Sequence, residues 1–377
     1  MATAKRTNRE IEERYELDDR EISQERSDFL LPQILDFITK NQWMNLQPEY
    51  QRRQVWDKAK QSRFVESILM NLPIPPIFLF ESEYNRYEVM DGQQRLSSIL
   101  AFYQNRLKLT GLEHWKELHG KQYSDLPPKL QRGLDRRRIS AVVLQTPAAS
   151  TRTTELRRIV FERLNTGGQR LNAQELRNCL YSSPFASLLV ELAGNPTFND
   201  LCEIPRYRDH FVKGHISAEL AENTLFKRMT DCELVLRFFA FRDERAIKGS
   251  VKSILDNCMK ANAALTEEEL QPMRNDFSSR VDLAAKLLGP NAFNLRDLDN
   301  KDRMSLSQPY YDAVMVACDR MFDRRQSLMK KKIALREELQ RELSKPGHRE
   351  LIVGKANTAD AIKKRLDFVE GCFESVL

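Results

Sequence analysis

Residues 91–95, Asp-Gly-Gln-Gln-Arg, join an apolar, strand-like stretch (RYEVM, 86–90) to an amphipathic one that runs on from Arg95 (RLSSILAFYQNRL). The start of a helix carries backbone N–H groups without partners and roughly half a positive charge from the helix dipole. Gly92 allows close backbone approach, Arg95 supplies a planar fork of donors, and the amides of Gln93 and Gln94 both donate and accept. A phosphate suits that set. The same residues also suit a plain cap at Asp91 followed by a solvated first turn. The spacing leaves both readings open.

Two other segments carry related chemistry. In EYQRRQVW (49–56), Arg52 and Arg53 lie between Tyr50 and Trp56 in a stretch that Pro48 keeps extended. Consecutive strand residues face opposite sides, so at most one of these arginines faces a common site. In FERLNTGGQRL (161–171), Asn165, Gly167 and Gly168 form a polar, glycine-containing loop after a helical stretch. That loop fits either the rim of a pocket or an ordinary helix stop.

Composition bounds the rest. At 377 residues the chain has material for two domains. No run of 18 apolar residues occurs, so a spanning helix is not expected, and the charged first residues lack a signal-peptide core. The expected location is the cytoplasm. A net charge of +6 permits a nucleic-acid partner without demanding one, and the clusters DRRRIS (135–140) and MKKKIALR (329–336) are the natural phosphate contacts or solvated faces. The six cysteines form no CxxC pair and sit mostly in apolar helical contexts, which predicts reduced, buried thiols. His210 and His215 have neither metalloprotease nor zinc-finger spacing.

The elements that must position these residues follow from periodicity. Residues 1–27 read as a charged arm or a loosely docked helix. A helix is expected over 27–43. Another follows Asp57 as its cap, with Phe64, Val65, Ile68, Leu69 and Leu72 on one stripe, stopped by PIPP at 73–76. IFLFE (77–81) and RYEVM form a hairpin, and RRISAVVLQ (137–145) is a further strand. A helix over 152–164 follows, and Asn172 with Glu175 opens another through a capping box. Beyond residue 180 the pattern is helical: one long helix over 218–244, one from Thr266 to Gly289, then 310–322, 324–343 and 358–377. The expected class is α+β, with an arm at 1–27, an α/β domain at 28–180 and a helical domain at 181–377.

Taken together, YQRRQVWDKAKQSRFVESILMNLPIPPIFLF, YEVMDGQQRLSSILAFY and FERLNTGGQRLNAQELRN resemble the N-terminal domain of GmrSD-type modification-dependent restriction endonucleases over about residues 28–180. RMTDCELVLRFFAFRD (228–243) is similar to the helical continuation of many members. The resemblance implies a fold of the ParB/sulfiredoxin group, a role in defence against foreign or modified DNA, and NTP binding and hydrolysis at the DGQQR signature. Asp91, Gly92, Gln93, Gln94 and Arg95 then become the nucleotide site, with Arg95 on phosphate and Asp91 capping the helix or holding Mg²⁺ through water. Arg52 or Arg53 becomes a second phosphate ligand, and Asn165, Gly167 and Gly168 close the pocket. ATP, GTP and CTP are not distinguished. Double-stranded DNA and a partner nuclease are the implied partners, a homo-oligomer is left open, and no membrane is involved. The chain departs from full-length enzymes of this type because no HNH pattern follows its C-terminal histidines, so cleavage would fall to a partner or to weak nicking. Two rivals are a nucleotide-gated DNA-binding switch and a non-enzymatic scaffold. Sulfiredoxin-like redox chemistry is rejected, since no cysteine precedes Cys179.

Overall fold

The computed structural model describes residues 7–377 except 11, 14, 16–21, 47–55, 147–152, 165–171, 182, 213–214, 297–303 and 354–357. The chain is α+β and divides into two compact units, 1–170 and 171–377. The helix Ala173–Leu180, expected at the end of the α/β part, packs with helices of the second unit.

The first unit is built on a five-stranded mixed sheet. Its strands are β1 (Ser23–Leu30), β2 (Met44–Asn45), β3 (Ile77–Glu83), β4 (Arg86–Asp91) and β5 (Arg138–Gln145), in the order β1-β5-β3-β4-β2. β1 runs antiparallel to β5, β5 parallel to β3, β3 antiparallel to β4, and β4 parallel to β2. The β3–β4 hairpin turns at Tyr84–Asn85, where Asn85 takes a left-handed φ of 58°. Asparagine tolerates that region better than other side chains.

Helices α1 (Leu31–Thr39), α2 (Lys58–Leu69), α3 (Gln93–Tyr103) and α4 (Pro128–Asp135) accompany one face. There Leu31, Ile34, Val65, Ile68, Leu96, Ile99 and Phe102 share a core with Ile77, Leu79, Ile139, Ala141 and Val143. The other face carries Phe80 and Glu88, met by Arg157 of α5 (Thr153–Leu164).

Several local expectations hold. Asp57 caps α2, accepting from Lys60 N at 2.7 Å, and Asn172 and Glu175 form their reciprocal capping box. Others fail. Residues 23–30 are strand, not arm or helix: Leu31 and Pro32 open α1, and Pro32 fits a first turn because it has no N–H to lose. α2 ends at Leu69, before PIPP, because Asn71 turns left-handed at φ 58°, which leaves Leu72 of the expected stripe 46% exposed.

Two buried polar side chains on α2 fix the loop that covers it. The Glu66 carboxylate accepts from the backbone N–H groups of Glu113, His114 and Trp115 at 3.2, 2.8 and 2.7 Å, and Ser62 Oγ accepts from Thr110 N at 3.0 Å. Arg137, from the DRRRIS cluster, donates to the Ile68 and Leu69 carbonyls at 3.1 Å each, so it finishes α2.

The second unit is helical. Its main members are α6 (Ala173–Leu180), α7 (Thr230–Arg242), α8 (Val251–Ala261), α9 (Glu267–Leu288), α10 (Gln308–Arg320), α11 (Lys332–Leu343) and α12 (Ala359–Glu374). Two small hairpins accompany them, β6 (Phe211–Val212) with β7 (His215–Ile216) and β8 (Asn294–Arg296) with β9 (Met304–Leu306). The long helix expected over 218–244 is three pieces. Asn223 caps a fresh turn at Thr224, and Met229 adopts φ 54° before α7 begins. Thr266 with Glu269 opens α9 through a capping box as expected. Inside, Arg237 and Asp312 pair as a buried fork, with Nε–Oδ1 at 2.8 Å and Nη2–Oδ2 at 2.5 Å. Cys202, Cys232, Cys318 and Cys372 are buried and Cys258 is half-buried, all as free thiols. Burial raises the thiols of Cys202, Cys258, Cys318 and Cys372 above their ordinary range.

Glu66 gives a pH test. Burial pushes its carboxyl up, but the N–H groups of Trp115, His114 and Glu113 more than offset this and hold it below the ordinary value. The stabilisation is therefore present above the unfolded carboxylate pKa and is lost as pH falls through the lower folded value. Glu66→Ala strands three amides and should cost about 2–3 kcal/mol at neutral pH. Chemical denaturation should show its deficit against wild type shrinking below about pH 4.

Candidate functional site at the strand–helix turn

β4 delivers Asp91 to the end of the sheet opposite Phe78, beside an irregularity in the β3 register. Gly92 then reverses the chain with φ 98° and becomes the N-cap of α3. A side chain at this position would be strained twice. Its Cβ would overlap Ile77 Cγ2 and approach Ile77 Cβ to 3.0 Å, and the φ itself disfavours every residue but glycine. As the N-cap, Gly92 has no side chain of its own to cap the first turn of α3.

Asp91 is therefore not the helix cap. Its carboxylate instead accepts from Arg95 Nη2 at 2.6 Å, one helical turn on. The Arg95 Nη1 group donates to the carbonyls of Pro75 and Pro76, the latter at 3.3 Å. Arg95 is only 11% exposed against 43% for Asp91. Burial draws the guanidinium below its ordinary value while Asp91 opposes the shift, and it stays protonated. Arg95 thus ties three things together: the end of β4, the first turn of α3 and the proline segment entering β3.

Gln93 is buried, and Gln94 Oε1 accepts from Trp56 N at 3.0 Å. Trp56 packs edge-on against Phe64 of α2, ring centroids 5.6 Å apart, and Lys60 Nζ lies 4.9 Å over its ring. The chain leaving the Arg52–Arg53 segment is thereby attached to the DGQQR helix. Arg52, Arg53, Asn165, Gly167 and Gly168 themselves lie outside the described residues.

Two participants escaped the sequence reading. On β4, Glu88 accepts from Arg157 Nη2 of α5, and the Arg157 guanidinium stacks 5.3 Å from the Phe80 ring. Burial raises the Glu88 carboxyl despite Arg157. A charged residue inside the apolar run RYEVM was the available signal. The Pro75–Pro76 carbonyls had none, since backbone acceptors leave no trace in composition.

With that geometry in place, residues 31–182 match the family model described as GmrSD restriction endonuclease, N-terminal domain. This segment is a GmrSD N-terminal domain. Among curated proteins and among solved structures nothing matches the chain. Within the GmrSD domain, the match takes in β2 to β5, the DGQQR turn and α5, and it runs on through α6 of the second unit. No helix among the described residues is long and apolar enough to cross a membrane.

The turn of the GmrSD domain predicts its own mutational profile. Gly92→Ala should lower stability by about 2 kcal/mol or more, since strain at such a φ alone costs about 1–3 kcal/mol. Arg95→Ala frees Pro75 and Pro76 and leaves Asp91 unpaired, which should cost about 1–3 kcal/mol. Thermal melts of the two variants check both figures.

Proposed function

We propose that the protein is the NTP-binding and NTP-hydrolysing component of a GmrSD-like restriction or anti-phage system, acting in the cytoplasm on foreign or modified double-stranded DNA. A partner nuclease, or weak nicking by the chain itself, would complete restriction. The observation that carries this reading is the left-handed Gly92 that opens α3 at the end of β4, inside a segment that matches the GmrSD family model. Backbone amides at such an end suit phosphate oxygens.

The charge balance at the turn refines the roles. Asp91 and Arg95 form a neutral pair, and Nη1 of Arg95 already serves two carbonyls. Arg95 therefore positions the turn, and positive charge for the phosphates comes from Arg52 or Arg53, which Trp56 leads back to Gln94. The amides of Gln93 and Gln94 orient phosphate or the attacking water. Asn165, Gly167 and Gly168, following α5, close the pocket. Among the described residues no group of three or more His, Cys, Asp or Glu side chains is placed to hold a metal. Mg²⁺ fits here only as an ion carried on the nucleotide phosphates, with the half-exposed Asp91 as its protein contact through water.

The inward engagement of Arg95 favours a second reading, a nucleotide-gated DNA-binding switch or scaffold with negligible turnover. One panel separates the two. ATP, GTP and CTP are tested for binding and for Mg²⁺-dependent phosphate release, with and without DNA. The NTPase reading expects release for at least one of them. It also expects Arg52→Ala/Arg53→Ala to weaken nucleotide binding at least tenfold without moving the melting temperature. A switch would bind without release, and a non-hydrolysable analogue would shift DNA affinity as much as the nucleotide does. Absence of any nucleotide binding would sink the NTPase and the switch and leave the scaffold.

A further inference from the structure

The second unit holds a cavity that the restriction reading does not use. It opens between the end of α9, the start of β8, the first turn of α10 and the length of α11, with a volume of about 400 Å³. That is within the range of pockets for small organic molecules. Leu339 and Leu343 give it an apolar wall, and Arg336 and Arg349 bring two guanidinium groups to it. No acidic side chain is among its described lining residues.

The polar groups are arranged as in a site rather than a packing gap. Arg336 Nε donates to the Leu287 carbonyl at 2.6 Å, which fixes the guanidinium at the C-terminal end of α9. No carboxylate pairs with its Nη groups among the described residues. Tyr310, only 5% exposed, forms part of the wall, and its hydroxyl makes no hydrogen bond among the described residues. The side chain of Asn294, a residue also 5% exposed, makes only long contacts among the described residues, with Nδ2 3.4 Å from Glu203 Oε1 and 3.5 Å from Asn291 Oδ1.

We propose that this cavity binds a small organic oxyanion, a phosphate or carboxylate carried on an apolar or aromatic body. The charged end sits on Arg336 and Arg349, whose planar forks suit oxyanions. The body lies along Leu339 and Leu343, and Tyr310 and Asn294 complete its hydrogen bonds. This ligand is bound by the second unit alone, so the proposal stands whatever the DGQQR turn does.

The test uses the full chain and four probes in titration calorimetry: phenyl phosphate, benzoate, benzyl alcohol and inorganic phosphate. Phenyl phosphate or benzoate should bind at least tenfold more tightly than the two probes that lack either the charge or the body, and the better of them identifies the oxyanion. Arg336→Gln should weaken that binding at least tenfold. Leu343→Trp, which fills the apolar side without touching the arginines, should do the same at an unchanged melting temperature. The proposal is overturned if neither aromatic anion binds, if benzyl alcohol binds as well as the anions, or if Leu343→Trp leaves the affinity intact.

Discussion

The guanidinium of Arg95 holds the DGQQR turn in shape. A strand ending in Asp91, a left-handed glycine and a helix starting at Gln93 would form a loose corner without something to fix the angle between them. Arg95 supplies it by bridging the Asp91 carboxylate and the carbonyls of Pro75 and Pro76. Prolines present carbonyls without competing N–H groups, so the segment entering β3 offers acceptors of fixed direction. The turn is rigid because one cation satisfies acceptors from two stretches that lie about fifteen residues apart in the chain.

Rigidity of this kind suits a site that must meet a ligand with backbone atoms, because peptide groups cannot rotate to find a partner as side chains can. Glu66 on α2 repeats the device with signs reversed, since a buried carboxylate gathers three successive amides of the 113–115 loop. In the second unit Arg237 and Asp312 do the same between α7 and α10. Each unit is organised around buried charge matched to fixed partners, with apolar packing filling the space between.

Much of this was legible in the sequence, for identifiable reasons. The hairpin, β5, α5 and the caps at Asp57, Asn172 and Thr266 announce themselves through local chemistry, which periodicity and side-chain type record directly. β1 was missed because its outer residues are charged and its pairing with β5 joins positions more than a hundred residues apart. The 218–244 stretch was read as continuous because asparagine at 223 and methionine at 229 are not helix breakers by type, and their left-handed or capping role is set by packing. At the turn, the residues were visible but not their partners. Arg95 reads as a phosphate ligand in the sequence, which gives no sign of the proline carbonyls it also serves, because the prolines read only as a helix stop.

The position of β1 has a practical corollary. The family match begins at residue 31, one residue after β1 ends, and its far limit at 182 takes α6 away from the helices it packs with. A fragment cut at those limits would lose an eight-residue strand and bare the outer edge of β5 along its whole length. Unpaired backbone on a strand that carries Ile139, Ala141 and Val143 invites sticking between copies. The shortest piece worth expressing on its own therefore starts before Ser23.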